Sequence, residues 1–160
     1  PPTIDNSQVE EAAREMLEPF ERTGGESPYE IHRDLQETMQ NLVGIFRNEE
    51  DLTKSFVRLE ELKARLKKAR VDGSRLFNPG WHLARDLKSL LIVSEAIARS
   101  ARERKESRGA HARIDYEKTD DEKWGKLNNI IARDGAGMKL FQREAAKMPD
   151  ELKQILAEDK

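Results

Sequence analysis

Residues 78–104 read NPGWHLARDLKSLLIVSEAIARSARER, and this stretch decides the fold. Asn78-Pro79 is an N-cap followed by a first-turn proline, whose fixed φ suits a helix start and whose missing N–H is not needed there. From about Trp81 to Arg104 the apolar residues recur at helical spacing. Leu83, Leu87, Leu90, Leu91, Ile97 and Ala98 form one stripe, and Ala84, Ile92, Val93 and Ala96 widen it. A helix apolar over most of its girth belongs at the centre of a bundle.

Three amphipathic helices precede it. Asp5 or Ser7 can cap the first, which carries Val9, Ala12, Ala13, Met16, Leu17 and Phe20 on one side and ends at Thr23-Gly24-Gly25. Ser27-Pro28-Tyr29-Glu30 starts the second, with Ser27 as N-cap and Glu30 placed to close a capping box. Its apolar side is Ile31, Leu35, Met39, Leu42 and Phe46, and Arg47 to Asp51 reads as a tight connection. The third helix carries Leu52, Phe56, Leu59, Leu62 and Leu66. Its other side holds Glu60, Glu61, Lys63, Arg65, Lys67 and Lys68, a solvated face with Glu61 and Arg65 as an i,i+4 pair. Asp72-Gly73-Ser74 breaks the chain before the long helix.

Downstream the pattern changes. Arg104 to Tyr116 is polar and lacks helical period, so it reads as an ordered loop or a frayed helix end. Leu127 to Ile131 and Met138 to Phe141 flank Asp134-Gly135-Ala136-Gly137, which suggests a hairpin. Met148-Pro149-Asp150-Glu151-Leu152 starts a last short helix, with Leu152, Ile155 and Leu156 expected to pack inward. The expected fold class is mainly α: an antiparallel three- to four-helix bundle, spectrin-repeat-like, followed by a loop, a short β-hairpin and a short C-terminal helix. Residues 1–106 make the bundle, and 107–160 form an extension packed as part of the same domain.

The chain has 160 residues, which suits one compact domain. Its formal net charge of -2 argues against a general nucleic-acid binder. With no cysteine, it offers neither disulfides nor thiolate ligands for zinc or iron–sulfur clusters. No apolar run approaches the roughly 18 residues a membrane span requires. The start at Pro1-Pro2 reads as a processed product or a fragment.

Few motifs carry chemistry. Gly135-Ala136-Gly137 begins like a dinucleotide fingerprint, but Leu140 stands at the third glycine position and the flanks read strand–turn–strand, so a hairpin turn is expected. His32, His82 and His111 show no metal spacing. His82 is expected to pack structurally beside Trp81, and His32 to lie at the surface. Segment 99–113 stands out, with six cations against two anions, a local excess of four. It fits an anion or acidic-partner site. It also fits a basic helix C-terminus favoured by the macrodipole, or arginines poised for ion pairs across an interface.

Within that segment, Arg104-Lys105-Glu106-Ser107-Arg108-Gly109-Ala110-His111-Ala112-Arg113-Ile114-Asp115-Tyr116 closely resembles the RKESRGAHAREDY signature of succinate dehydrogenase and fumarate reductase flavoprotein subunits. L-aspartate oxidase and adenylylsulfate reductase carry related versions. Trp124, Phe77 to Ala84 and Leu90 to Ala96 resemble the same family, whereas Ile114 stands where an acidic residue is common. The resemblance implies the C-terminal helical domain of such a flavoprotein, a structural buttress with no catalytic, cofactor or metal residues of its own. FAD would belong to the parent subunit, which interconverts succinate and fumarate. The implied partners are the flavin-binding domain of the same parent chain and an iron–sulfur subunit, with no nucleic acid and no direct membrane insertion. The implied location is cytoplasmic, with the parent complex at the inner face of the cytoplasmic membrane. Arg104, Glu106, Arg108, His111 and Arg113 are expected to fix the helix-to-loop corner and to face the flavin domain or partner. The fragment is not expected to be active alone. A rival is a free-standing helical adaptor binding an acidic protein or nucleic acid through segment 99–113.

Overall fold

A computed structural model describes residues 3–158, with side chains through residue 155. Helices α1 (Asn6–Glu21), α2 (Pro28–Leu42), α3 (Glu49–Leu66) and α4 (Pro79–Glu103) come first. A two-residue strand β1 (Phe46–Arg47) lies between α2 and α3. Strand β2 (Ala112–Arg113), hairpin strands β3 (Leu127–Asp134) and β4 (Gly137–Glu144), and helix α5 (Asp150–Glu158) follow. The chain is therefore mainly α, as its periodicity implies.

Side chains set the helix starts. Asp5, rather than Ser7, caps α1 by accepting from the Ser7 N–H at 2.9 Å. Ser27 accepts from the Tyr29 N–H at 3.3 Å, and the Glu30 side chain does not return a bond, so no capping box forms. Asn78 accepts from the Trp81 N–H at 3.0 Å while its amide donates to the Asp72 and Ser74 carbonyls, tying the break at residues 72–74 to the start of α4.

The core lies where α2, α3 and α4 meet, around Ile31, Leu35, Leu52, Leu59, Leu62, Leu87 and Leu91. Along α4 the buried Gly80, Ala84, Leu87, Leu91, Ser94, Ala98 and Ala101 alternate by fours and threes in a narrow seam, with Glu95 buried beside it. The wide apolar girth expected for this helix is not covered. Leu90, Ile92, Val93 and Ile97 are exposed, because α1 rests on the N-terminal half of α4. There Trp81 Nε1 donates to the Met16 carbonyl at 2.7 Å, and Glu15 meets Arg85 and Lys88. The first helix is correspondingly peripheral. Its buried residue is Pro19, and Val9, Met16 and Leu17 face out.

The structure differs from expectation at several other places. Helix α2 stops at Leu42, and Phe46 belongs to β1, exposed and paired in parallel with Ala112. The expected tight connection over 47–51 is shorter, because β1 ends at Arg47 and α3 begins at Glu49. Asn48 caps α3 by accepting from the Asp51 N–H at 2.8 Å. The charged side of α3 is only partly solvated: Arg65 bridges to Glu26 and Asp34, Lys63 meets Glu95 of α4, and Glu61 pairs with Arg58 instead of Arg65. In α5, Leu152 and Ile155 face solvent, and the Leu156 side chain lies outside the described residues. His82 is exposed, its ring edge-on to Trp81 at 5.0 Å, and His32 is half-buried.

The hairpin forms as expected, with Asp134 opposite Gly137. Gly135 takes φ +57°, the left-handed value that a tight two-residue turn requires of its first central residue.

Candidate functional site

The signature segment closes the end of α4. A helix leaves its last four carbonyls without intrahelical donors. Arg113, 1% exposed, answers two of them and the carbonyl just past the helix: its Nη1 donates to the Ala101 and Arg102 carbonyls at 3.1 Å each and to the Arg104 carbonyl at 3.4 Å. The other edge of the guanidinium grips Asp115, with Nε to Oδ1 and Nη2 to Oδ2 both 2.7 Å. Asp115 Oδ2 also accepts from the Glu49 N–H at 2.9 Å, at the positive end of α3. One ion pair thus joins the C-terminus of α4 to the N-terminus of α3. The pairing raises the Arg113 pKa and lowers that of Asp115.

Glu106 is the second node, and its carboxylate is 0% exposed. It accepts from Arg104 Nη1, from Arg108 Nε at 3.0 Å and Nη2 at 3.2 Å, and from the Asp120 N–H at 2.7 Å. Burial pushes its pKa up, but Arg108, the Asp120 amide and Arg104 together outweigh that and bring it down to about 2. Arg104 continues to the Trp124 and Leu127 carbonyls at 3.2 and 3.0 Å and lies over the Trp124 ring at 5.5 Å. Arg108 reaches Asp121 at 2.6 Å. The corner is therefore fastened to the base of the hairpin.

His111 is the third node. Its Nδ1 lies 2.6 Å from Arg47 Nη1 and its Nε2 lies 3.0 Å from the Arg104 carbonyl. A guanidinium only donates and a carbonyl only accepts, so Nδ1 accepts, Nε2 carries the proton, and the ring is neutral. Burial is the main cause of its lowered pKa, and Arg47, Arg113 and Arg104 add to it. Around it the Arg108 and His111 backbones bond reciprocally across Gly109, at φ +56°. The Ala112 and Ile114 N–H groups reach the Ile45 and Arg47 carbonyls to make the β1–β2 ladder.

All five residues singled out in the sequence thus meet at one corner. Glu106 and Arg113 spend their side chains inside the chain, whereas Arg104, Arg108 and His111 keep part of their surface. Spacing gave no sign of Arg47, Glu49 or the Trp124 and Leu127 carbonyls, since the first two fell in an expected connection and backbone acceptors carry no sequence signal. Five of the six cations in segment 99–113 are paired, four of them with carboxylates outside the segment. Arg99 pairs with Glu95, Arg102 with Glu49, Arg104 with Glu106, Arg108 with Glu106 and Asp121, and Arg113 with Asp115. A patch with five of its six cations already paired offers a polyanion little.

The corner holds no acid–base pair poised near neutral pH, since Glu106 is ionised and both ring nitrogens of His111 are engaged. Among the described residues no three of His, Asp and Glu converge as metal ligands. Gly135 and Gly137 bound a hairpin turn rather than the start of a helix, so they do not fit the pyrophosphate of a flavin or nicotinamide dinucleotide.

Comparison with known proteins adds the following. Residues 32–158 match the family model described as fumarate reductase flavoprotein C-term. The chain is 37% identical over 133 residues to the succinate dehydrogenase flavoprotein subunit of Coxiella burnetii, covering 82% of this chain and 22% of that protein. It is 43% identical over 110 residues to the fumarate reductase flavoprotein subunit of Helicobacter pylori, covering 68% and 15%. Among solved structures, Mycobacterium smegmatis Sdh1 in complex with UQ1 superposes with a TM-score of 0.87 at 38% identity, covering 97% of this chain and 27% of that one. Adenylylsulfate reductase from Archaeoglobus fulgidus shares the fold, with a TM-score of 0.78 at 22% identity over 92% of this chain and 26% of that one. The chain thus spans about a quarter or less of the relatives it matches.

Proposed function

Because this chain belongs to the fumarate reductase flavoprotein C-terminal family, we propose that it is the helical buttress of a flavoprotein subunit interconverting succinate and fumarate through FAD. In that subunit it packs on the flavin-binding domain and helps present it to an iron–sulfur subunit. The observation that carries this is how the signature corner spends its charges. Its arginines and Glu106 are consumed in joining α3, α4 and the hairpin, while apolar side chains on α4, and Leu76 and Phe77 before it, remain uncovered. Phe77 is 98% exposed and held at φ +52°, a conformation that costs a non-glycine residue free energy. Apolar, uncovered surface is what a packing partner needs.

Bundle residues 1–106 and extension residues 107–160 act as one unit in this role, supported by the reach of Arg113 from the extension to the α4 carbonyls. Arg104, Arg108 and His111 supply the polar rim of the contact from their remaining surface. The parent complex sits at the inner, cytoplasmic face of the cytoplasmic membrane. No helix among the described residues is long and apolar enough to cross a membrane.

The test uses the full-length subunit. Arg108→Ala lowers assembly or flavin retention, measured as bound flavin per polypeptide and co-purified iron–sulfur subunit. Dicarboxylate affinity of the assembled fraction stays unchanged. Normal assembly with a pure affinity defect would overturn the proposal.

A further inference from the structure

We propose that the outer groove of α4 beside Arg47 receives an acidic side chain carried on an apolar segment of the flavin-binding part of the parent polypeptide. The groove, about 460 Å³, is floored by Val93, Ala96 and Ile97 and bounded by Arg47, His111 and Asn129. This inference rests on the family role proposed above and names the chemistry of one contact.

Arg47 is unlike the arginines around it. Its Nε donates to the Val43 carbonyl at 3.1 Å and the Gly44 carbonyl at 2.6 Å, and its Nη1 faces His111. All three acceptors are neutral. Among the described residues no carboxylate lies within ion-pair distance of it, whereas Arg99, Arg102, Arg104, Arg108 and Arg113 each have one. Arg47 is half-buried, and burial together with the nearby Arg113 charge lowers its pKa. A half-buried guanidinium with no counter-charge is costly, and a carboxylate is the group whose geometry matches it.

Asn129 forms the side of the groove opposite Arg47. Its Nδ2 donates to the Ser100 carbonyl at 3.0 Å, which fixes the orientation of the amide because that carbonyl can only accept. Its Oδ1 is enclosed, without a donor among the described residues, and is not open to the groove. A polypeptide segment supplies what Arg47 lacks, a side-chain carboxylate. Its apolar neighbours cover the exposed Val93 and Ile97. A phosphate meets the Arg47 charge but leaves the apolar floor uncovered. The parent polypeptide is the source to expect, since about three quarters of each relative lies outside the matched region.

The 160-residue chain is titrated with the blocked peptide acetyl-Leu-Asp-Leu-amide while the Arg47 Nε–H, the Asn129 side-chain amide and the Val93 and Ile97 methyls are followed by NMR. The aspartate peptide shifts these signals together, and its asparagine twin binds at least about tenfold more weakly. Arg47→Gln abolishes the difference. Ile97→Asp, at an exposed position that leaves folding untouched, weakens the aspartate peptide through like-charge repulsion. Equal binding of the two peptides, shifts confined to other surfaces, no shifts at millimolar peptide, or equal shifts with inorganic phosphate would each overturn the groove. Capture of this chain by the parent flavoprotein lacking its C-terminal domain tests the family role separately. If capture persists while the peptide fails, the groove alone is wrong. If capture also fails, so does the role it rests on.

Discussion

Replacing Glu106 by Gln should cost about 3 kcal/mol of folding stability at neutral pH, and two routes lead to that size. The first is local. The carboxylate takes four donors, from Arg104, twice from Arg108, and from the Asp120 N–H. An amide keeps one acceptor and turns a donor toward groups that only donate. Net losses for charge-assisted bonds are roughly 1.5–3 kcal/mol each, but Arg104 and Arg108 are 21% and 41% exposed and regain water, so the sum is well below four such bonds. The second route is titration. The folded carboxyl ionises at about 2 against an ordinary value of 4.5, and that separation corresponds to about 3 kcal/mol. Between those values the unfolded chain binds more protons than the folded one. The Glu106 contribution is therefore complete above 4.5 and is lost as pH falls toward about 2. Denaturant titrations of wild type and Glu106→Gln at neutral pH should differ by about 3 kcal/mol, or roughly 6–12 °C in melting temperature. At pH near 3.5 the gap should shrink by about 1 kcal/mol. A gap under about 1 kcal/mol at neutral pH, or one that does not change with pH, would refute the assignment of Glu106 as the ionised hub.

Other outcomes follow from the same geometry. Arg113→Met should destabilise by more than about 3 kcal/mol, because it strands two α4 carbonyls, the Arg104 carbonyl and the Asp115 carboxylate; a Tm drop of only a few degrees would count against it. The His111 pKa is depressed, so below its ordinary value near 6.5 the unfolded chain takes up protons first and stability falls with falling pH; His111→Gln should remove that slope, and imidazole titration by NMR should show a midpoint below 6.5. Leu91→Ala, in the buried seam of α4, should cost about 2–5 kcal/mol, whereas Val93→Ala on the outer face should change stability of the isolated chain by less than about 0.5 kcal/mol in chemical denaturation. Added FAD should leave the melting temperature of this chain unchanged in differential scanning fluorimetry, and tight stoichiometric binding would contradict the buttress role.

What could be read directly from the sequence was local. The caps at Asp5, Ser27 and Asn78, the apolar positions of α2 and α3, and the Gly135 turn each depend on residues a few places apart, where propensity and spacing act. The signature string marked the right corner, because arginines and Glu106 lie close together in the chain as well as in space. Apolar spacing could not say which side of α4 would be covered. Leu90 and Leu91 look alike in sequence, but helix packing buries the second and leaves the first in solvent. The Phe46 assignment failed for a related reason: pairing with Ala112, 66 positions away, turns the segment into a strand. Only the tertiary structure could match Arg113 to the α4 carbonyls, Asp115 to the start of α3, and leave Arg47 without a counter-charge. Backbone acceptors and distant partners have no local code, whereas helix periodicity, capping and turn chemistry are written in near neighbours.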